Sequence, residues 1–187
     1  MCVNFYRYQT PPFRLSKFLV MSKDIRESII KDLSKDSKKL VDVFSYCFMP
    51  THFHFLLKQT EDNGISKFIS QFENSYTRYF DTRNERQGGI FLNQFKAKRI
   101  ELGEVLLHVQ RYIHLNPYSS CLVKDIDQLI NYEYSSLSEY LDDRITGLCN
   151  QESVMSLFKN KKMFRSFTLD QAEYQRNLEY IKHLTFE

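Results

Sequence analysis

Apolar positions recur at helical spacing after Ser22, where Ile25, Ile29, Ile30 and Leu33 fall on one face of a helix running to about Leu33. Ser22 suits the N-cap of that helix. Residues 1–22 are aromatic and basic, with Phe5, Tyr6, Arg7 and Tyr8 followed by Pro11 and Pro12, and read as irregular. The polar stretch 34–39 reads as a loop. The period then shortens: residues 40–48 and 52–59 are strand-like and are separated by a short turn at 49–51. Pro50 stops the first run because it has no N–H to give a ladder. A β-hairpin is predicted.

Asn63-Gly64 closes the second strand, and residues 65–81 return to helical spacing through Ile65, Phe68, Ile69, Phe72, Tyr76 and Phe80. The polar stretch 82–89 ends in Gly88-Gly89, a turn. Residues 90–100 look like a strand with basic content, and residues 104–115 like a helix with Pro117 just beyond its end. From Cys121 onward a loop is expected, with short helical pieces near 135–141 and 151–158 and a final helix near 170–183. This order puts helices over one face of an antiparallel sheet, an α+β layer. Completed as βαββαβ it is the ferredoxin-like split βαβ unit, followed by a C-terminal helical tail. The strand in front of the first helix is then either residues 3–8 or missing from the chain.

At 187 residues the chain suits one domain, or one domain with a helical appendage. Hydrophobic residues at 42% and charged ones at 26% argue against wholesale disorder, and sixteen Phe with twelve Tyr can fill a core. No apolar run reaches bilayer-spanning length, and the first thirty residues lack a signal-peptide pattern. Four cysteines without a CxxC pair argue against a zinc knuckle and fit a reduced, cytoplasmic setting. The net charge of +3 is unevenly spread: residues 1–100 hold 17 basic and 10 acidic side chains, residues 101–187 hold 9 and 13. A basic front half is compatible with a polyanion-binding surface and equally with solvated lysine-rich helix faces.

The sharpest local chemistry is His52-Phe53-His54 in the second strand. Alternate strand side chains share a face, so the two imidazoles point the same way and could form half of a metal site. A bare HxH is also what two unrelated histidines at a strand start would leave. The second signal is Arg111-Tyr112-Ile113-His114-Leu115-Asn116-Pro117. Tyr112 and Asn116 are four apart on one helix face, with His108 a turn earlier. A carboxamide oxygen suits a hard divalent cation and a phenol can act as a covalent nucleophile. The same residues also make an ordinary helix end, with Tyr112 in the core and Asn-Pro as the stop. His108 and His114 are expected to be structural.

Together these stretches resemble a known family. Tyr46-Cys47-Phe48-Met49-Pro50-Thr51-His52-Phe53-His54-Phe55-Leu56-Leu57 resembles the HUH motif of single-tyrosine transposases, and Tyr112-Ile113-His114-Leu115-Asn116-Pro117 resembles their tyrosine motif. Between them, Asn74-Ser75-Tyr76-Thr77-Arg78-Tyr79-Phe80 and Phe95-Lys96-Ala97-Lys98 resemble linking segments of the REP-associated tyrosine transposases. The resemblance implies a ferredoxin-like HUH catalytic domain over 1–120, truncated at its N-terminus if its first strand is missing, and a helical extension over 121–187. It implies a metal-dependent single-strand DNA endonuclease and strand transferase that acts on hairpin-bearing, REP-like DNA through a 5′-phosphotyrosine. In it His52, His54 and Asn116 would hold Mg²⁺ or Mn²⁺, and Tyr112 would be the nucleophile. Arg78, Arg83, Arg86, Lys96, Lys98 and Arg99 are the candidate phosphate contacts, with Tyr76, Tyr79, Phe91 and Phe95 as candidate base-stacking rings or, for the two Phe, core. A cytoplasmic, nucleoid-associated monomer or homodimer is expected, with no membrane partner. Two other readings remain: a non-catalytic or domesticated binder of structured single strands, and a metal-dependent hydrolase that uses the histidine pair without a tyrosine adduct.

Overall fold

A computed structural model describes residues 2–9, 11–36, 38–92, 94–101, 103–142 and 147–185. In chain order the elements are α1 (Cys2–Tyr6), α2 (Leu15–Leu19), α3 (Lys23–Asp36), β1 (Val41–Phe48), β2 (Phe53–Gln59) and α4 (Gly64–Arg83). They continue with α5 (Gly103–Ser119), α6 (Ile126–Ile130), α7 (Leu137–Leu141), α8 (Glu152–Met155), α9 (Lys161–Leu169) and α10 (Ala172–Thr185). The class is α+β, built on a two-stranded antiparallel sheet. By its internal contacts the chain forms two compact units. One comprises Met1–Asp42 with Lys58–Lys98, the other Val43–Leu57 with Arg99–Glu187.

The hairpin forms where alternation and Pro50 place it. Every second residue of β1, Val41, Val43, Ser45 and Cys47, is fully buried, so one face of that strand is wholly interior. The strand expected over residues 90–100 does not form among the described residues there, and Asn93 lies outside them. Ile90, Phe91 and Leu92 are consecutive rather than alternating, and Lys96-Ala97-Lys98 offers only the Ala97 methyl to one face. A strand there would have no continuous apolar face to bury.

In the first unit Phe5, Tyr8, Leu15, Phe18 and Leu33 make a core, with Phe5 and Phe18 at 4.7 Å between ring centroids. Residues 3–8 do not supply a strand: α1 takes Cys2–Tyr6, and only Tyr8 pairs in ladder fashion, by an isolated bridge to Lys39. Five residues are too few for periods of 2 and 3.6 to be told apart by pattern. The irregular N-terminal segment thus contains two short helices. Helix α3 starts after Ser22 as expected and continues to Asp36, into the predicted loop. Its apolar face is narrower than the pattern suggested, because Ile25 is 51% exposed while Ile29, Ile30 and Leu33 pack inward.

Helix α4 packs on α1 and begins where Asn63 adopts a left-handed backbone, φ 58°, a conformation asparagine tolerates. A Cβ on Gly64 would collide with the Leu40 carbonyl oxygen, which is main chain and cannot swing away. Gly64→Ala is therefore expected to cost about 1–3 kcal/mol, read as a lowered denaturant midpoint at unchanged slope. An unchanged midpoint would show that the α4 start is free to shift.

In the second unit α5 is the central element, packed by α6, α9 and α10. Its last seven residues, Ile113 to Ser119, are all buried. Pro117 lies inside this helix rather than beyond it. In the last turn the proline sacrifices only one i→i−4 bond, and its own carbonyl accepts from Leu122 and Val123 at 2.9 and 3.1 Å. Burial of Leu115 and Tyr118 holds the turn helical. The edge of β1 away from β2 is covered by residues 132–136. Phe48 N–H donates to Tyr134 O at 2.9 Å, Ser136 N–H donates to Tyr46 O at 3.0 Å, and Cys47 bridges Ser135. The Tyr132 and Tyr140 hydroxyls donate to the carbonyls of Phe48 and Phe44 at 2.8 and 2.6 Å. Helices α6 and α9 arise in stretches without an evident periodic signal, each with a side-chain cap, Asp125 on Gln128 N and Asn160 on Met163 N.

Candidate active site

The hairpin turn closes through Met49 N–H to His52 O at 2.8 Å, which sets His52 at the mouth of β2 and His54 two residues into it. Their rings meet edge to face with centroids 4.9 Å apart, the arrangement that a shared strand face requires. His52 is exposed, and its Nδ1 lies 3.1 Å from Thr51 Oγ1, leaving Nε2 as its open nitrogen. His54 Nε2 is buried and has no hydrogen-bond partner among the described residues. Burial, and then the neighbouring His52, lower the His54 pKa from its ordinary value. At neutral pH His54 is thus an uncharged imidazole holding an unspent nitrogen.

Helix α5 brings Tyr112 to this pair, its ring centroid 5.7 Å from that of His54 and nearly perpendicular at 83°. Tyr112 is 39% exposed, so solvent and a substrate can reach the phenol. Asn116, one helical turn on, is 6% exposed. The residues around Tyr112 are held from elsewhere in the unit. Gln175 of α10 donates through Nε2 to the Tyr112 carbonyl and to Ser119 Oγ, both at 3.2 Å. Arg111 lies 4.3 Å over the Phe167 ring, donates to the Phe167 carbonyl at 3.1 Å, pairs with Asp170 at 3.1 Å and meets His108 Nδ1 at 2.7 Å.

Among the described residues no group of three or more His, Cys, Asp or Glu is placed to hold a metal. A metal centre here therefore needs the histidine pair completed by another donor type. The chemistry of the set permits it: His54 presents an orphaned nitrogen, His52 an open one, and a carboxamide oxygen such as that of Asn116 is a ligand hard divalent cations accept.

The basic residues singled out by pattern are distributed differently. Arg78, Arg83, Arg86, Lys96 and Lys98 belong to the first unit, and Arg99 to the second. Arg86 is paired with Asp81 at 3.4 Å and Arg99 with Glu101 at 3.4 Å, whereas the Arg78 side chain makes no ion pair or hydrogen bond among the described residues. Tyr76, Tyr79 and Phe95 are exposed, while Phe91 is half-buried against Phe72 and Tyr76 at 6.5 and 5.9 Å. Gln175 and Arg111 were missed as supports of Tyr112. Arg111 stood inside the motif, but nothing local marks Gln175, which meets α5 across 63 residues of chain.

His114, expected to be structural, is fully buried, with Nε2 at 2.9 Å from Ser136 Oγ and its ring against Tyr140 and Phe164. Burial pushes its pKa down from 6.5 to about 3. The ionisable group in ring contact with it is the Tyr140 phenol, which burial holds protonated throughout the acid range. Between pH 6.5 and about 3 the unfolded chain binds a proton at this residue that the folded chain refuses. Stability is therefore complete above pH 6.5 and is lost as pH falls, with a slope approaching about 1.4 kcal/mol per pH unit from this group. His114→Gln should remove one proton from the pH dependence of unfolding, measured by denaturant titration in chelator between pH 7 and 4. An unchanged dependence would mean His114 is protonated in the folded state.

In comparison with known proteins, the family model described as transposase IS200 like aligns with residues 16–116, more than half of the chain. No curated protein and no solved structure matches.

Proposed function

The chain belongs to the IS200-like transposase family, and we propose that it cuts and rejoins single-stranded DNA through a covalent bond to Tyr112. The observation that carries this reading is the edge-on approach of Tyr112 to His54, whose buried Nε2 has no hydrogen-bond partner among the described residues. A phenol beside an unspent imidazole pair brings together a nucleophile and nitrogens able to ligate a metal.

In the proposed reaction the Tyr112 Oη attacks the scissile phosphorus and gives up its proton. The P–O3′ bond breaks, and the departing 3′-oxygen takes a proton to become a hydroxyl. The 5′-phosphate remains on Tyr112, so the phosphodiester energy is kept and attack by another 3′-hydroxyl reverses the step onto a new strand. A neutral phenol is a poor nucleophile at pH 7 because its ordinary pKa is about 10. A Mg²⁺ or Mn²⁺ ion held by His52, His54 and Asn116 would supply Lewis-acid polarisation of the phosphate. The protein's own part is orientation. Gln175 fixes the Tyr112 backbone, Arg111 pins the adjoining turn against α9, and the half-exposed phenol is open to solvent.

The proposed substrate is single-stranded DNA bearing hairpins, with Lys96, Lys98, Arg99 and Arg86 contributing phosphate contacts. The test is incubation of the purified protein with a labelled pool of single strands carrying hairpins, plus Mn²⁺ or Mg²⁺, read on a denaturing protein gel. A labelled protein band is expected. DNA binding by folded protein with no such band under any metal would replace this reading with a non-catalytic binder.

A further inference from the structure

The first unit contains a cleft of about 690 Å³ framed by α1, α2 and α4, remote in sequence from Tyr112 and the histidine pair. Its volume falls within the range typical of small-ligand sites. Three arginines line it, Arg14, Arg78 and Arg83, together with the rings of Tyr6 and Tyr79 and the amide of Asn74. Among the described residues that line it, none is acidic. Arg14 and Arg78 are exposed, and neither side chain makes an ion pair or hydrogen bond among the described residues. Arg83 is spent differently: it donates to the Tyr79 hydroxyl at 2.6 Å with its guanidinium 6.0 Å from the ring centroid, so it orients that ring. The ring itself is 51% exposed.

Two guanidinia lining one cleft with no carboxylate among its lining residues favour an anion there, and bidentate donors match a phosphate. An oriented, exposed phenol ring beside them is a stacking platform, and an amide can meet the edge of a base. A simple phosphate would need the arginines alone; the flanking tyrosines and amide fit a phosphate that carries a base. We propose that this cleft binds one unpaired nucleotide of a single DNA strand, with its phosphate on Arg14 and Arg78 and its base against Tyr79. The proposal rests on the reading that the chain handles single-stranded DNA and adds to it a site for a nucleotide that is not being cut. Arg14 stands outside every motif of the sequence and enters only through the cleft.

The test is fluorescence anisotropy with labelled oligo(dT) of about twelve nucleotides, within the site sizes of single-strand binders, in EDTA so that no cleavage intervenes. The double variant Arg14→Ala, Arg78→Ala is expected to bind about tenfold or more weakly, with a salt slope smaller by about 1.4, two single-strand phosphates' worth. The control Lys159→Ala, Lys162→Ala removes the same charge from the other unit and should change affinity less than about threefold. Wild type should also prefer oligo(dT) to an abasic tract with the same phosphates, and Tyr79→Ala should shrink that preference. In unmodified protein, a photo-crosslink from bromodeoxyuridine placed in the oligonucleotide should fall on Tyr79 or Tyr6. That readout does not depend on any variant folding. Arginine and lysine variants of equal affinity, or a crosslink confined to other residues, would overturn the cleft while leaving the DNA reading intact. Polyglutamate bound as tightly as oligo(dT) would make the cleft a general anion site and also overturn it. A wild-type protein that binds no single strand would bring down both readings together.

Discussion

Tyr112→Phe should leave the protein folded and eliminate the covalent DNA adduct, by about 10³-fold or more in rate, equivalent to roughly 4 kcal/mol of lost transition-state stabilisation. The change removes one oxygen. That oxygen makes no hydrogen bond among the described residues, while the ring keeps its edge-on contact with His54 and the Tyr112 carbonyl keeps its bond from Gln175. Little stability is therefore at stake, and the melting temperature is expected to move by no more than about 2 °C. Affinity for single strands should likewise persist, because the positive charge that attracts them lies elsewhere. The three measurements together isolate the nucleophile: adduct gone, fold kept, binding kept. Cleavage that continued in Tyr112→Phe would mean that water or another residue attacks the phosphate, and the phosphotyrosine scheme would have to be abandoned for a metal-dependent hydrolase.

The juxtaposition behind that prediction was only half legible in the sequence. Alternation and Pro50 were enough for the hairpin, and a period of 2 was enough to put His52 and His54 on one face, as their 4.9 Å ring separation bears out. Helical spacing was enough to put Tyr112 and Asn116 one turn apart. What no local pattern could supply was the meeting of β2 with α5, since residues 54 and 112 are joined through packing rather than spacing. Only the resemblance to transposase motifs linked them. Elsewhere the misreadings have particular causes. Residues 90–100 looked extended because turn glycines preceded a β-branched and aromatic start, but the lysines that follow leave a strand no continuous apolar face to bury. Pro117 looked like a stop because a proline usually is one, yet the buried Leu115 and Tyr118 around it carry α5 to Ser119. The N-terminal aromatics looked irregular because five residues cannot display a period, and they became a short helix seated on α4. The cleft was invisible for a related reason: Arg14 and Arg78 are 64 positions apart, and they line one cleft only in the folded chain.

His54→Ala should reduce adduct formation by at least about 10²-fold and make what remains dependent on a higher metal concentration. His54 is the more informative of the two histidines because its Nε2 is already buried and unpartnered. A buried polar nitrogen without a hydrogen bond costs on the order of 1–3 kcal/mol, so a merely structural histidine at this place would be better replaced by an apolar residue. If the nitrogen serves only packing, His54→Ala or His54→Leu should stabilise the protein or leave it unchanged, and the adduct should survive. If it is a ligand, the same variants keep or gain stability in chelator yet lose both the adduct and the rise in melting temperature that Mn²⁺ gives the wild type. His52→Ala should lose activity in the same direction but recover more of it at raised Mn²⁺, because an exposed ligand position can be filled by water. The thermal shift separates the alternatives without reference to catalysis. A wild-type protein whose melting temperature ignores Mn²⁺ and Mg²⁺ at millimolar concentration, and whose adduct forms equally well in chelator, would show that the imidazole pair holds no metal. The attack by Tyr112 would then have to be assisted by the protein's own cations, for which Arg111, already committed to Phe167, Asp170 and His108, is poorly placed.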